Sequence, residues 1–219
     1  TISIPASIPP GQYVLWVAAN AIYGGRTVRV GPNAAPLATA QSLTTIEETA
    51  KAITLTGSDL DADVLTFVVV TQPSGGALTG SGANLTYTPN ADFAGADSFT
   101  FKTNDGLLDS APATVSLTIT PVNDAPGFGT LANVDAFEGS APPTVSVTAV
   151  SPGVGADEAS QTVTLTATSS NPALVPNPVV TGTGATRTLS FTPVVNVFGT
   201  VTITVTAQDS GGTAGGGVD

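Results

Sequence analysis

The chain has 219 residues, with 16 Asp and Glu against 5 Lys and Arg for a net charge of −11, and it contains no Cys, His or Met. The missing thiols and imidazoles exclude a Ser-His-Asp triad, a Cys-His pair, a thiolate or imidazole metal site and any disulfide. The acidic balance argues against nucleic acid and anionic membranes as partners, while 41% hydrophobic against 10% charged residues argues for folded domains.

Thr (35) and Val (25) dominate, punctuated by 24 Gly and 17 Pro, which is the composition of short strands joined by turns. From the N-terminus, Gln12 to Ala19 and Arg26 to Val30 read as the two strands of a hairpin, with its turn at Asn20 to Gly25. The apolar run Tyr13 to Ile22 is too short to cross a bilayer. A start at Thr1, without an initiator Met or a signal-like segment, sets the expectation of a mature product or a fragment. Further on, Ile53-Thr-Leu55-Thr, Val115-Ser-Leu117-Thr-Ile119-Thr, Val163-Thr-Leu165-Thr and Val201-Thr-Ile203-Thr-Val205-Thr alternate apolar and polar residues. That period of two predicts half-buried strands. Leu65 to Val70 is nearly continuous in apolar residues and predicts a more deeply buried strand.

An internal repeat sets the domain organisation. Leu85-Thr-Tyr87-Thr-Pro89 matches Leu189-Ser-Phe191-Thr-Pro193 at an offset of 104, and the same offset pairs Gly95 with Gly199, Phe99 with Ile203, Phe101 with Val205 and Asp105 with Asp209. Units of roughly 90 to 105 residues have the size of an immunoglobulin-like sandwich. The predicted class is all-β: two tandem sandwiches at 35–122 and 123–219, preceded by an N-terminal β-hairpin arm at 1–34. The second unit is expected to lack its last strand, because Val201 to Ala207 is followed by Asp209-Ser-Gly-Gly and then Gly215-Gly-Gly-Val-Asp219.

Glu47-Glu48, Leu55-Thr-Gly-Ser-Asp59-Leu-Asp61-Ala-Asp63-Val-Leu65-Thr-Phe67, Gln72-Pro73, Tyr87-Thr-Pro89-Asn90, Phe93-Ala-Gly95, Asp97-Ser-Phe99 and Asn104-Asp-Gly106 resemble the cadherin-like and Ig-like tandem repeats of large secreted bacterial proteins. Pro121-Val-Asn-Asp-Ala-Pro126 is similar to their interdomain joint. The second unit resembles a divergent member, with Ser151-Pro-Gly153 and Gln161-Thr-Val163 in place of the Asp-rich loop. Ile8-Pro-Pro-Gly-Gln-Tyr13-Val-Leu15 through Val30 is similar to the closing hairpin of the Ig-like domain that ends galactose-oxidase-like proteins. The resemblance implies an extracellular or cell-surface stalk, adhesin or surface polymer, often with calcium, and no enzyme activity for the repeats themselves.

Asp59-x-Asp61-x-Asp63 is the strongest chemical feature. Carboxylates two residues apart converge on a hard cation that takes six to eight oxygens. It is no EF-hand, since Val64 and Val70 replace the required Gly and Glu. By the resemblance, Glu47, Glu48, Asn104 and Asp105 assist. Two readings stand, a calcium site and a solvated turn, and Ala62 occupies the position of the family's usual glycine. A second candidate lies at the joint, with Asn123, Asp124 and Glu138 as ligands, against an Asx turn at Asp124. Asp157, Glu158 and Asp209 are weaker candidates still, against a reading as loop solvation. Asn84-Leu-Thr86 is a glycosylation sequon in a host that glycosylates. No catalytic residues are identified, and Tyr87, Phe99, Phe101, Phe191 and Phe198 read as core.

Surplus strand at one end and a deficit at the other combine into one expectation. The arm of one copy, through Tyr13, Leu15 and Val17 or Val14 and Trp16, completes the second sandwich of the next copy. Such head-to-tail association need not close on itself and can generate a filament. Truncation of neighbouring domains would leave the same two ends. The rival function is an adhesive or carbohydrate-binding module of a larger secreted protein, with a cell-surface or glycan ligand.

Overall fold

The computed structural model describes residues 13–19 and 26–213. Gln12, the turn Asn20 to Gly25 and the tail Gly215 to Gly217 lie outside the described residues, as do the side chains of Tyr13, Val14, Leu15, Trp16 and Val17. Two strands, β1 (Tyr13–Ala19) and β2 (Arg26–Pro32), pair antiparallel from Tyr13 with Pro32 to Ala19 with Arg26. The chain divides into two compact units, the first ending at Ile119 and the second beginning at Thr120, with 91–94 grouped with the second.

The first unit continues with β3 (Leu37–Ala38), β4 (Gln41–Ile46), β5 (Lys51–Thr54), β6 (Gly57–Ser58), β7 (Thr66–Thr71), β8 (Gly76–Ser81), β9 (Asn84–Pro89), β10 (Gly95–Asn104) and β11 (Ala113–Thr120). One sheet has the order β4-β11-β10-β7, the other β5-β9-β8, and β3 pairs with β6. Alternation places Val115, Leu117 and Ile119 of β11 inward and their Ser and Thr neighbours outward. Phe99 and Phe101 of β10 and Leu85 and Tyr87 of β9 meet them in the core. The ring of Phe67 lies 6.3 Å from that of Phe101.

The strand at Leu65 to Val70 is not the deeply buried one its composition predicts. It closes the edge of its sheet beyond β10, so Phe67 and Val69 turn inward while Val68 and Val70 stay about half exposed. The register explains the division, because Val69 stands opposite Phe101 and Phe67 opposite Thr103.

The second unit has β12 (Thr144–Val147), a short 3-10 helix (Asp157–Ser160), β13 (Thr164–Ser169), β14 (Val179–Thr181), β15 (Arg187–Ser190) and β16 (Ile203–Gln208). Its sheets run β12-β15-β14 and β13-β16. Val147, Val150, Leu165 and Leu189 form its core, with Phe128, Val163, Val180, Ile203 and Val205 packed against them. In the first unit β10 is flanked by β11 and β7, whereas β16, its counterpart by the repeat, has β13 alone as a sheet neighbour among the described residues.

Two aromatics of the second unit depart from the core reading. Phe191 is half-buried, and Phe198 is 97% exposed. No strand forms between Ser190 and Ile203; Val194 N–H donates to Leu174 O and Asn196 has φ 60°. Phe198 therefore rides on an irregular loop, outside the inward-facing row that holds Phe99 and Phe101.

Candidate metal centre

The Asp-rich loop follows β6 and leads into β7. Asp59 organises it: one carboxylate oxygen accepts from the N–H groups of Asp61 (2.8 Å) and Asp63 (3.2 Å). Ala62 between them has φ 63°, in the left-handed region, which accounts for the glycine expected there. Ligand oxygens of Asp59, Asp61 and Asp63 lie within 4.8 Å of one another, on half-buried side chains. The loop also grips the chain entering the sandwich. Asp61 accepts from Ala34 N–H at 2.8 Å, and Asp105 accepts from the Asn33 side-chain amide at 2.9 Å. The other oxygen of Asp105 accepts from the N–H groups of Leu107 and Leu108, both at 2.7 Å.

Charge and solvation are unbalanced. The Asp63 carboxyl is pushed up from the ordinary carboxylate value by burial, then by the charges of Asp59, Asp105 and Asp61. Asp105 is held down, first by the N–H of Leu108. Buried oxygens Asn33 Oδ1 and Asp59 Oδ2 have no hydrogen-bond partner. A buried acceptor left unpaired costs free energy, and like charges so close favour a counter-ion. Hard oxygen donors without nitrogen or sulfur suit calcium, and Asp59, Asp61, Asp63, Asp105 and the amide oxygen of Asn33 are the residues that could hold it.

The other sequence candidates fall elsewhere. Glu47 is buried just after β4, and Glu48 is exposed with φ 51°. Asn104 turns toward Asp109, donating at 2.8 Å, while its oxygen accepts from Gly106 N–H. Glu138 is exposed and accepts from Asn196 N–H. Asn84 is exposed at the start of β9. Around Asn123 and Asp124 the carboxylates in hydrogen-bond contact are Glu158 and Asp209, instead of Glu138. Asp124 N–H donates to Glu158 at 3.3 Å and the Asn123 amide to Asp209 at 3.2 Å. Neither acid is the solvated loop residue expected, since Glu158 is 1% and Asp209 8% exposed.

The sequence signal for that second cluster was half visible. Asp105 and Asp209 match in the repeat, and Asn33 and Asn123 each stand three residues before a Pro preceded by Ala. In both units the Asn side-chain amide donates to the matching Asp.

Residues 33–118 match the family Bacterial Ig domain. Two curated proteins of Dictyostelium discoideum are similar to the chain. Integrin beta-like protein B is 27% identical over 121 residues, 48% of this chain and 6% of that protein. Integrin beta-like protein A is 30% identical over 157 residues, 60% of this chain and 8% of that protein. The chain thus spans less than a tenth of the length of either. Among solved structures, the protocadherin GammaB4 extracellular domain has a TM-score of 0.49 at 14% identity, covering 93% of this chain and 41% of that one. An endo-fucoidan hydrolase of glycoside hydrolase family 107 has a TM-score of 0.34 at 21% identity, covering 94% and 33%. The first sandwich is the part of the chain that the Bacterial Ig domain family matches, in agreement with the Ig-like resemblance of its residues.

Proposed function

We propose that this chain is a non-enzymatic, extracellular, adhesion-type segment of a surface protein, in which calcium held by the Asp59, Asp61 and Asp63 loop stiffens the first sandwich as a strut. The observation that carries the reading is the double grip of that acidic loop on the entering chain, through Ala34 to Asp61 and Asn33 to Asp105. A cation there neutralises the cluster and fixes the point at which tension from a preceding segment enters the sandwich. The Bacterial Ig domain match and the integrin beta-like relatives support the extracellular, adhesive setting. Hydrogen exchange at the β10 and β11 amides tests the strut. Calcium is expected to raise protection there over chelator in the wild-type chain and not in D59N/D61N/D63N. Equal protection with calcium and with chelator refutes it.

The finer part of the reading is head-to-tail association. Strand β1 of one copy pairs along β16 of the next, which has β13 as its one sheet neighbour among the described residues. Electron microscopy of concentrated protein is expected to show filaments, and deletion of residues 1–24 is expected to abolish them while β10 and β11 keep their exchange protection. A monomer of 21.5 kDa as the sole species refutes the polymer and leaves the strut standing.

A further inference from the structure

We propose that the cleft between β13 and β14 of the second unit is a docking groove for an extended acidic peptide, which adds as a strand along β13, lays an aliphatic side chain against the core and sets a carboxylate on Arg187. The reading is independent of the acidic loop of the first unit, because every residue lining the cleft lies in the second.

A cavity of about 590 Å³ lies there, with Val150, Val163, Leu165 and Val180 in its wall. Val150 and Leu165 belong to the buried core, and Val163 and Val180 pack against it, so the cleft reaches the core from the side. β13 and β14 stand beside β16 and β15, the repeat counterparts of β10 and β9, just as β7 and β8 do in the first unit. The corresponding cleft of the first unit measures about 310 Å³, is lined by Phe67 and Leu78 among others, and carries no charged residue. The second unit therefore leaves more apolar wall for an outside side chain to cover, and it adds a cation.

That cation is Arg187. It opens β15 two residues before the buried Leu189 and so faces inward with it. Its guanidinium donates to Gly184 O and, at 3.4 Å, to Val163 O just ahead of β13. The second bond is long for N–H···O, and both acceptors are neutral. A guanidinium carries five donors in a planar fork that matches a carboxylate. In a chain of 16 acids and 5 bases, this one is half-buried at a cleft with no acid in contact. A carboxylate brought from outside replaces the long bond to Val163 with a charge-assisted one.

The strand edge beside the cleft is open. β13 has β16 as its one sheet neighbour among the described residues, and β14 ends its own sheet. Only at the far end of β13 does a side chain intervene, where Ser169 N–H donates to the Asn177 amide oxygen at 2.9 Å. An incoming extended segment gains main-chain hydrogen bonds along β13, and every second side chain turns toward the cleft. Charge distinguishes this occupant from the chain's own arm. β1 carries no acid and β2 carries Arg26 and Arg29, so neither brings a carboxylate to Arg187.

Two blocked peptides, Val-Thr-Glu-Thr-Val-Thr and Val-Thr-Gln-Thr-Val-Thr, titrated into the isotope-labelled full-length chain and followed by NMR, test the proposal. Each places aliphatic side chains on the same face as the central Glu or Gln. The Glu peptide is expected to shift the amide signals of Leu165, Thr166 and Ala167 and to bind at least about tenfold tighter than the Gln peptide. In R187Q the two peptides are expected to bind alike. The comparison of peptides on the wild-type chain needs no change to the protein. The proposal is overturned if those amides stay still, if the two peptides bind the wild-type chain equally, if R187Q keeps the preference for Glu, or if decanoate, a free aliphatic carboxylate, moves the signals of the cleft while the peptides do not.

Discussion

Asp97 offers the sharpest test of how the first sandwich is held. Its carboxylate is 9% exposed and accepts four hydrogen bonds: Ser74 N–H (3.0 Å) and Ser98 N–H (2.8 Å) on one oxygen, Gly75 N–H (3.0 Å) and the Tyr87 hydroxyl (2.8 Å) on the other. Asp97→Asn keeps the shape and removes the charge. One oxygen becomes an NH2 that cannot accept. If it faces Gly75 and Tyr87, the tyrosine hydroxyl can rotate to accept from it, but the buried Gly75 N–H is orphaned at a cost of about 2 kcal/mol. The two bonds left on the remaining oxygen fall from charge-assisted to neutral strength, losing about 0.5–1 kcal/mol each. The sum is about 3–4 kcal/mol at pH 7, and Tyr87→Phe, which deletes one donor to the charge, costs about 2 kcal/mol.

The effect of acid on this cluster has a definite sign. Burial pushes the Asp97 carboxyl up, but the hydrogen bonds, led by that of Tyr87, outweigh it and hold the group below its ordinary value. A depressed native value means stability that is fully present above the unfolded value of about 3.9 and is lost as pH falls through the native one. The penalty of Asp97→Asn is therefore constant from pH 7 to about 5 and shrinks below about 4. Urea unfolding read through hydrogen exchange of the β9 and β10 amides reports the first unit alone. A penalty under about 1 kcal/mol at pH 7, or one that does not shrink in acid, would refute the assignment.

Ala62→Gly relieves a left-handed alanine and gains about 0.5–1 kcal/mol after glycine's own entropic cost, a rise of about 2–8 °C in the Tm of the first unit; no rise means the loop carries no strain at Ala62. Phe101→Ala empties a fully buried position and costs about 3–5 kcal/mol, whereas Phe198→Ser changes stability by less than about 0.5 kcal/mol. Thermal melts of the two variants check that contrast, and a large loss at Phe198 would place it in a core.

Strand identity was legible wherever one face is buried and the other wet. Val115-Ser-Leu117-Thr-Ile119 shows this directly, because a period of two in hydrophobicity is the period of the pleat. Leu65 to Val70 misleads for the complementary reason: composition cannot report that β7 is an edge, a property of sheet order settled by pairing with β10. Phe198 misleads because a large aromatic side chain reads as core by its type alone, whereas the loop from Phe191 to Thr202 carries it outside any strand. The acidic loop was visible because its carboxylates are near neighbours in sequence. Glu158 was not, because the Asp124 N–H that donates to it lies 34 residues away along the chain. The Asn to Asp contact common to both units was split between two offsets: 104 for Asp105 and Asp209, 90 for Asn33 and Asn123.

The charge balance sets a requirement on the acidic loop. With 16 acids and 5 bases, at least 11 carboxylates have no basic side chain to answer them. The bases whose contacts are seen serve other ends. Lys102 pairs with Asp109, and Arg187 donates to the carbonyls of Gly184 and Val163. Neither reaches Asp59, Asp61 and Asp63 or Glu158 through any of those bonds. Hydrogen bonds satisfy Asp97 from within, but no basic side chain is seen to answer the cluster at Asp59, Asp61 and Asp63, and a cation from solution is the charge that would do so. Where carboxylates are also held close by backbone N–H groups and flanked by unpartnered amide oxygens, diffuse screening by monovalent salt is a poor substitute for a coordinated ion, since screening weakens sharply for buried groups. Stability that responds to millimolar calcium and not to equal ionic strength of sodium chloride is the signature this composition predicts, and an equal response to both would reduce the cluster to ordinary surface charge.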